Sequence, residues 1–237
     1  MSNNRVLIIA PHPDDEILGA GGTMARCAEG GAQVTVLTVA AHMPPLYDES
    51  VHRQTIDEAR KAHAIVGVKD SIFLDIPAVF VRDQPTHELN QKISAVVQRT
   101  RPAIVLLPFP DRHIDHRVIF DAAMVVTRPV GAGAEIGLVA AYETLSETHW
   151  NAPHIEPNFT PNWVVDITGT LERKLEALAC YRSQITPFPG PRSVEAVRAL
   201  AVFRGTQAGF GYGEGLQIIR MTAPIERLWR GLTPDAS

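Results

Sequence analysis

The feature that most constrains this chain is the order of its first hundred or so residues, in which short β-branched runs alternate with longer stretches of helical spacing. Arg5–Ala10 is apolar after its arginine and reads as a buried strand. The stretch 17–30 carries apolar residues on one helical face and stops at Gly30-Gly31, and 33–40 is a second strand rich in Val and Thr. The alternation repeats with a helix over 51–67, a strand over 71–76, a helix over 87–100 and a strand over 103–107. Strands separated by long crossovers pair in parallel, because only antiparallel neighbours can be joined by a tight turn. Strands one and four are solidly apolar, as expected of strands covered on both faces, and each runs at its C-terminal end into a polar segment. The expected architecture is therefore α/β and Rossmann-like: a mostly parallel sheet flanked by helices, with a site at the C-terminal ends of its strands.

Beyond Arg117 the pattern loosens. A helix through Val130, strands near 137–142 and 163–167, helices over 170–181 and 193–203, and a last strand near 216–221 are expected, with a frayed tail over 233–237. The stretch 186–192 holds three prolines and a glycine and reads as a loop within the domain. A chain of 237 residues, 45% hydrophobic, can bury a full core, and one domain spanning 1–237 is expected. With 22 Lys+Arg against 26 Asp+Glu, the net charge of -4 gives no reason to expect nucleic acid or an anionic membrane as partner, and a small-molecule substrate fits better. Cys27 and Cys180 are the only cysteines, which excludes a disulfide framework and a cysteine-only zinc site, so a metal must use His and carboxylates. No run approaches the ~18 apolar residues of a membrane span, the opening strand is too short for a signal-peptide core, and the expected location is the cytoplasm.

Strand one is followed by Pro11-His12-Pro13-Asp14-Asp15-Glu16, an imidazole and three consecutive acids at a helix start. Acids there complement the helix dipole and cap its amides, which accounts for the carboxylates but not for His12. Three positions apart in a turn, His12 and Asp15 can face one point, as a divalent metal needs, whereas Asp14 projects to the side and suits a general base. Strand four is followed by Pro108-Phe109-Pro110-Asp111-Arg112-His113-Ile114-Asp115-His116-Arg117, a second cluster at the matching end of a neighbouring strand. Imidazoles with a carboxylate suit a hydrolytic zinc site, with one histidine of this cluster ligating and the other acting at the reaction centre; spacing does not distinguish them.

The pairing of Pro11-His12-Pro13-Asp14-Asp15-Glu16 with His113-Ile114-Asp115-His116 resembles the PIG-L/LmbE-like deacetylase family, and the resemblance extends through Val165-Asp166-Ile167, Lys174, Tyr181-Arg182-Ser183, Pro191-Arg192-Ser193 and Arg204-Gly205. It implies one zinc ion on His12, Asp15 and His116, Asp14 as general base, His113 assisting the tetrahedral intermediate and Asp115 orienting a histidine. Pro11 and Ile114 stand where the family usually has Ala and Pro, and neither position supplies a polar group. Arg53, in the helix after strand two, stands where relatives contact substrate, with a surface salt bridge as its alternative role. The implied reaction is deacetylation of an N-acetylglucosamine-type amino sugar or its conjugate, in which zinc and a protonated His113 stabilise the oxyanion and either Asp14 or His113 protonates the amine. A homo-oligomer is left open.

Other residues carry weaker signals. Gly19-Ala20-Gly21-Gly22 lies inside a helix, unlike a dinucleotide-binding turn, and suits close packing. His42, Tyr47, Asp48 and His52 follow strand two and form either a substrate rim or a solvated loop. Trp150, with His149 and His154, reads as structural packing, with stacking on a sugar ring as the alternative, Cys27 reads as core, and Arg192 and Glu214 read as pocket residues on the resemblance alone. Three rival readings stand beside the deacetylase. One is a two-His-one-carboxylate Fe(II) oxygenase, whose usual all-β barrel conflicts with the alternating pattern. The others are a non-catalytic sugar-binding protein, and a zinc amidase acting on a thiol-sugar conjugate or a non-sugar amide.

Overall fold

The computed structural model describes residues 4–222; the tail expected over 233–237 lies outside the described residues. Seven strands form one sheet: β1 (Arg5–Ala10), β2 (Gln33–Ala41), β3 (Asp70–Pro77), β4 (Ile104–Pro108), β5 (Leu138–Tyr142), β6 (Trp163–Asp166) and β7 (Gly213–Met221), in spatial order β3-β2-β1-β4-β5-β7-β6. The first five run parallel, and β7 lies antiparallel between β5 and β6. The expected mostly parallel α/β sheet is therefore present. Strand order reverses between β1 and β4, which places the crevice of an open α/β sheet at the C-terminal ends of these two strands.

Seven α-helices accompany the sheet among the described residues: α1 (Asp15–Glu29), α2 (Glu49–Ile65), α3 (Thr86–Thr100), α4 (Ile114–Val126), α5 (Leu145–Thr148), α6 (Leu171–Leu178) and α7 (Val194–Thr206). Successive residues of β1 face opposite layers. Val6, Ile8 and Ala10 pack with Ile17 and Met24 of α1, Ala59 and Ala62 of α2, Leu171 and Leu175 of α6 and Val197 of α7. Leu7 and Ile9 pack with Ile93 and Val97 of α3 and Ile119 of α4. This two-sided burial explains why β1 lacks the polar alternation of a half-exposed strand. No helix among the described residues is long and apolar enough to cross a membrane.

α4 stops at Val126, short of the expected Val130. Pro129 disfavours helical backbone at Arg128 and has no amide to continue the ladder. α1 is broken at Ala20 (φ -140°, ψ 15°), and its freed backbone groups are taken up by a buried ion pair. Glu214 accepts from the amides of Gly22 (2.9 Å) and Thr23 (2.7 Å), while Lys174 Nζ donates to Leu18 O (2.9 Å) and to Glu214 (2.6 Å). The glycines serve close packing, as expected: a Cβ on Gly19 would stand 2.2 Å from Tyr142 Cδ2, and one on Gly22 would stand 2.8 Å from Ile167. Cys27 is partly buried against the same layer.

Candidate active site

Because β1 and β4 are paired neighbours, the two His/Asp turns that follow them meet at the switch point. In the first, Asp14 adopts φ 107°, ψ -28°, an uncommon conformation for a residue with a side chain. Its carbonyl accepts from Ile17 (3.0 Å) and Leu18 (2.9 Å) to start α1, while its carboxylate makes no capping bond. Glu16 is fully buried and holds this turn from beneath: it accepts from the Asp14 amide (3.2 Å) and from the Tyr181 hydroxyl, and lies 3.3 Å from His63 Nε2. The acids are thus committed to specific buried partners, and a generic cap does not account for them.

Asp15 Oδ2 is the centre of the cluster. It accepts from the His12 amide at 3.0 Å and lies 3.2 Å from His12 Nδ1 and 3.3 Å from His116 Nε2. The second nitrogen of each ring meets another carboxylate: His12 Nε2 is 2.9 Å from Asp115 Oδ2, and His116 Nδ1 is 3.0 Å from Asp111 Oδ2. Asp115 is itself held by the Val79 amide at 2.7 Å, and Asp111 by the Thr148 hydroxyl at 2.9 Å. The histidine that Asp115 contacts through its side chain is His12; towards His113 it offers its backbone amide, which donates to Nδ1 at 3.2 Å.

Burial by itself lowers the pKa of His12 and His116, but the adjoining carboxylates outweigh it and bring His12 to about 9 and His116 to about 10. Burial likewise opposes ionisation of Asp15, and the two imidazoles overcome it and hold that carboxyl well below its ordinary range. Two protons thus balance the carboxylates where one dication can do the same, and buried His116 Nε2 has no hydrogen-bond partner. Among the described residues, ligand atoms of His12, His113 and His116 lie within 4.8 Å of one another. Two nitrogens and a carboxylate oxygen on one point, with a third imidazole beside them, fit a divalent metal in both donor type and charge.

His113 differs from its neighbours. Burial and the nearby His12 and His116 push its pKa down to about 4, so its ring is neutral, and with Nδ1 accepting from an amide the proton resides on Nε2. The protonated His113 expected from the resemblance is not what this environment favours. Asp14 is pushed up to about 8, first by burial, against the pull of Arg192. Its Oδ2 accepts from Arg192 Nη1 at 3.1 Å, and its Oδ1 is buried without a partner.

The remaining expectations divide. His42 is buried beside His12, their rings stacked at 6.0 Å, and Tyr47 meets His42 edge-on at 4.8 Å, so the loop after β2 borders the cluster. Asp48 is the N-cap residue of α2 and makes no side-chain capping bond, and His52 pairs with Asp75 at 3.1 Å. Arg53 is exposed on α2 and makes no ion pair among the described residues. Trp150 is 60% exposed, which overturns the packing expected of it, because α5 ends at Thr148 and leaves the ring on the following loop. His149 pairs with Glu143, and His154 lies on that same loop at φ 75°. Glu214 binds α1 from below and does not join the cluster. Asp111, Ser146 and Tyr181 carry no sequence signal for a role, yet they contact His116, Arg192 and Glu16 respectively. Asp111 lies in the same turn as His116, yet spacing does not separate it from Asp115.

The fold and cluster together define a candidate divalent-metal site at the switch point of a parallel α/β sheet. Residues 7–127 match the PIG-L family, described as GlcNAc-PI de-N-acetylase, and the chain belongs to this hydrolytic family. It is similar to the diacetylchitobiose deacetylase of Thermococcus kodakarensis, 27% identical over 229 residues that cover 91% of this chain and 83% of the relative. The conserved protein TT1542 from Thermus thermophilus superposes with TM-score 0.74 at 26% identity, covering 94% of this chain and 97% of that one. The 4-carboxy-2-hydroxymuconate hydratase from Pseudomonas putida KT2440 shares the fold, with TM-score 0.76 at 21% identity over 93% of this chain and 98% of that one. Fold alone therefore does not decide the chemistry, which must be argued from the site.

Proposed function

We propose that the chain, as one domain over 1–237, is a zinc-dependent N-deacetylase that hydrolyses the acetamide of an N-acetylglucosamine-type amino sugar or its conjugate in the cytoplasm. The observation that carries this reading is the convergence of His12 Nδ1 and His116 Nε2 on Asp15 Oδ2, with the unpartnered Oδ1 of Asp14 in the adjacent residue. His12, Asp15 and His116 would hold the ion, with Asp115 and Asp111 fixing the tautomers of the two rings. When bound, zinc supplies Lewis acidity to the acyl oxygen and lowers the pKa of water towards ~7.

Asp14 takes the proton of the attacking water, and its high pKa in this buried position suits that task. His113 offers Nε2–H to the developing oxyanion. A neutral His113 cannot release that proton to the amine without becoming an imidazolate, so Asp14, protonated in the first step, returns the proton to the leaving nitrogen. Loop 42–48 and the exposed guanidinium of Arg53 would receive the sugar. An Fe(II) oxygenase would use the same donor types, and the parallel sheet and hydrolytic family argue against it.

The test is acetate release from a panel of N-acetylated amino sugars by purified protein whose metal content is measured on the same sample. Release that disappears on chelation, returns with zinc without oxygen, and falls by ~10²–10⁴-fold in Asp14→Asn is the expected result. Stoichiometric metal with no release from any panel member would overturn the amino-sugar assignment.

A further inference from the structure

Arg192 reaches Asp14 from 178 residues away, at the end of the proline-rich loop 186–192. Its Nε donates to Ser146 Oγ at 3.0 Å, and its Nη1 donates to both Asp14 Oδ2 at 3.1 Å and Gln184 Oε1 at 3.3 Å. The acceptors come from α1's leading turn, from α5 and from the segment before the loop, so the guanidinium plane is fixed by three parts of the chain. The next residue, Ser193, caps α7 by accepting from the Ala196 amide at 3.1 Å, which anchors the arm that carries Arg192. The loop is closely folded behind it: a Cβ on Gly190 would stand 2.0 Å from Thr186 Oγ1.

A carboxylate on its own has two equivalent oxygens and a broad terminal torsion. At Asp14 this equivalence is broken, since Oδ2 is tied to Arg192 while Oδ1 is buried and unpartnered. We propose that Arg192 is a positioning residue for the deacetylation: by holding Oδ2 it fixes the carboxylate of Asp14 so that Oδ1 alone meets the attacking water. The side chain must be arginine for geometric reasons, because a planar fork reaches Ser146 through Nε while Nη1 serves Asp14, and a lysine ammonium cannot span both. In this role Arg192 acts through Asp14, so the inference rests on the reading of Asp14 as general base.

The test compares wild type with Arg192→Ala, Arg192→Lys and Ser146→Ala in steady-state deacetylation, with metal content and thermal stability measured on each. Arg192→Ala is expected to lower kcat ~10²-fold with KM within about twofold of wild type and metal content unchanged, since a misplaced catalytic group costs about that much. Arg192→Lys should recover part of kcat by restoring a donor to Oδ2, and Ser146→Ala should lower kcat by less than Arg192→Ala. A rise in KM with kcat intact would make Arg192 a substrate-binding residue and overturn the proposal, as would unchanged kinetics. A second arm needs no substrate: amide hydrogen exchange across residues 183–192 should accelerate in Asp14→Ala if the tether holds the loop. Unchanged exchange would overturn the tether. If wild type releases no acetate but this exchange accelerates, the deacetylase reading fails while the tether stands.

Discussion

Asp115 Oδ2 lies 2.9 Å from Nε2 of His12, the ring nitrogen opposite the one that meets Asp15. A carboxylate in that position keeps the proton on Nε2 and leaves the Nδ1 lone pair for a cation. Replacing it with Asp115→Ala should lower zinc affinity ~10–100-fold, read by competition with a chromogenic chelator. Asp111→Ala should act similarly through His116 Nδ1. Undiminished affinity in both variants would separate these carboxylates from metal binding.

Removing the metal should also destabilise the fold, since the cluster ties the turn after β1 to that after β4. A ligand at ~1,000 times its dissociation constant stabilises by about 4 kcal/mol. For a domain of this size each kcal/mol moves Tm by ~2–4 °C, so exhaustive chelation should lower Tm by roughly 8–16 °C, with recovery on adding zinc. Differential scanning calorimetry reads this directly.

The close approach of α1 to β5 predicts a cost at Gly19. A methyl there meets not only the Tyr142 ring but also the Glu143 carbonyl, at 2.8 Å, and the backbone cannot swing away as a flexible side chain would. Gly19→Ala should destabilise by ~1–3 kcal/mol in urea unfolding, although alanine is the better helix former.

The buried pair at the α1 break makes an asymmetric prediction. Lys174→Met leaves Glu214 with three other donors, the amides of Gly22 and Thr23 and the Thr23 hydroxyl. Glu214→Ala strands all of these and leaves Lys174 without its counter-charge. The second change should cost ~3–5 kcal/mol by chemical denaturation, and the first should cost less. Equal losses would show that the charge pair matters and the amide contacts do not.

Much of this protein was legible along the chain. The parallel sheet follows from the spacing of its strands, because crossovers of helical length exclude hairpins, and the buried character of β1 and β4 follows from their unbroken apolar runs. The two His/Asp turns were legible for the same reason: paired strands in a parallel sheet deliver their C-terminal ends to one place. The end of α4 was legible too, in Pro129, but helical spacing through Val130 masked it.

What the tertiary structure alone decided are contacts across large sequence distances and the state of each titrating group. Arg192 and Asp14 are 178 residues apart, and no local pattern relates a proline-rich loop to a helix start. The exposure of Trp150 and the task of Glu214 depend on where short elements settle against α1 and β7, which pattern does not encode. The charge of His113 was also beyond the sequence, because an imidazole's pKa is set by the burial and charges around it, and here burial first, then the neighbouring His12 and His116, keep the ring neutral. The sequence by itself determined which residues could form a site and on which strand ends, since periodicity and chain order are local properties. The packed structure determined what each of those residues does, since hydrogen-bond partners and desolvation exist only after the chain has closed on itself.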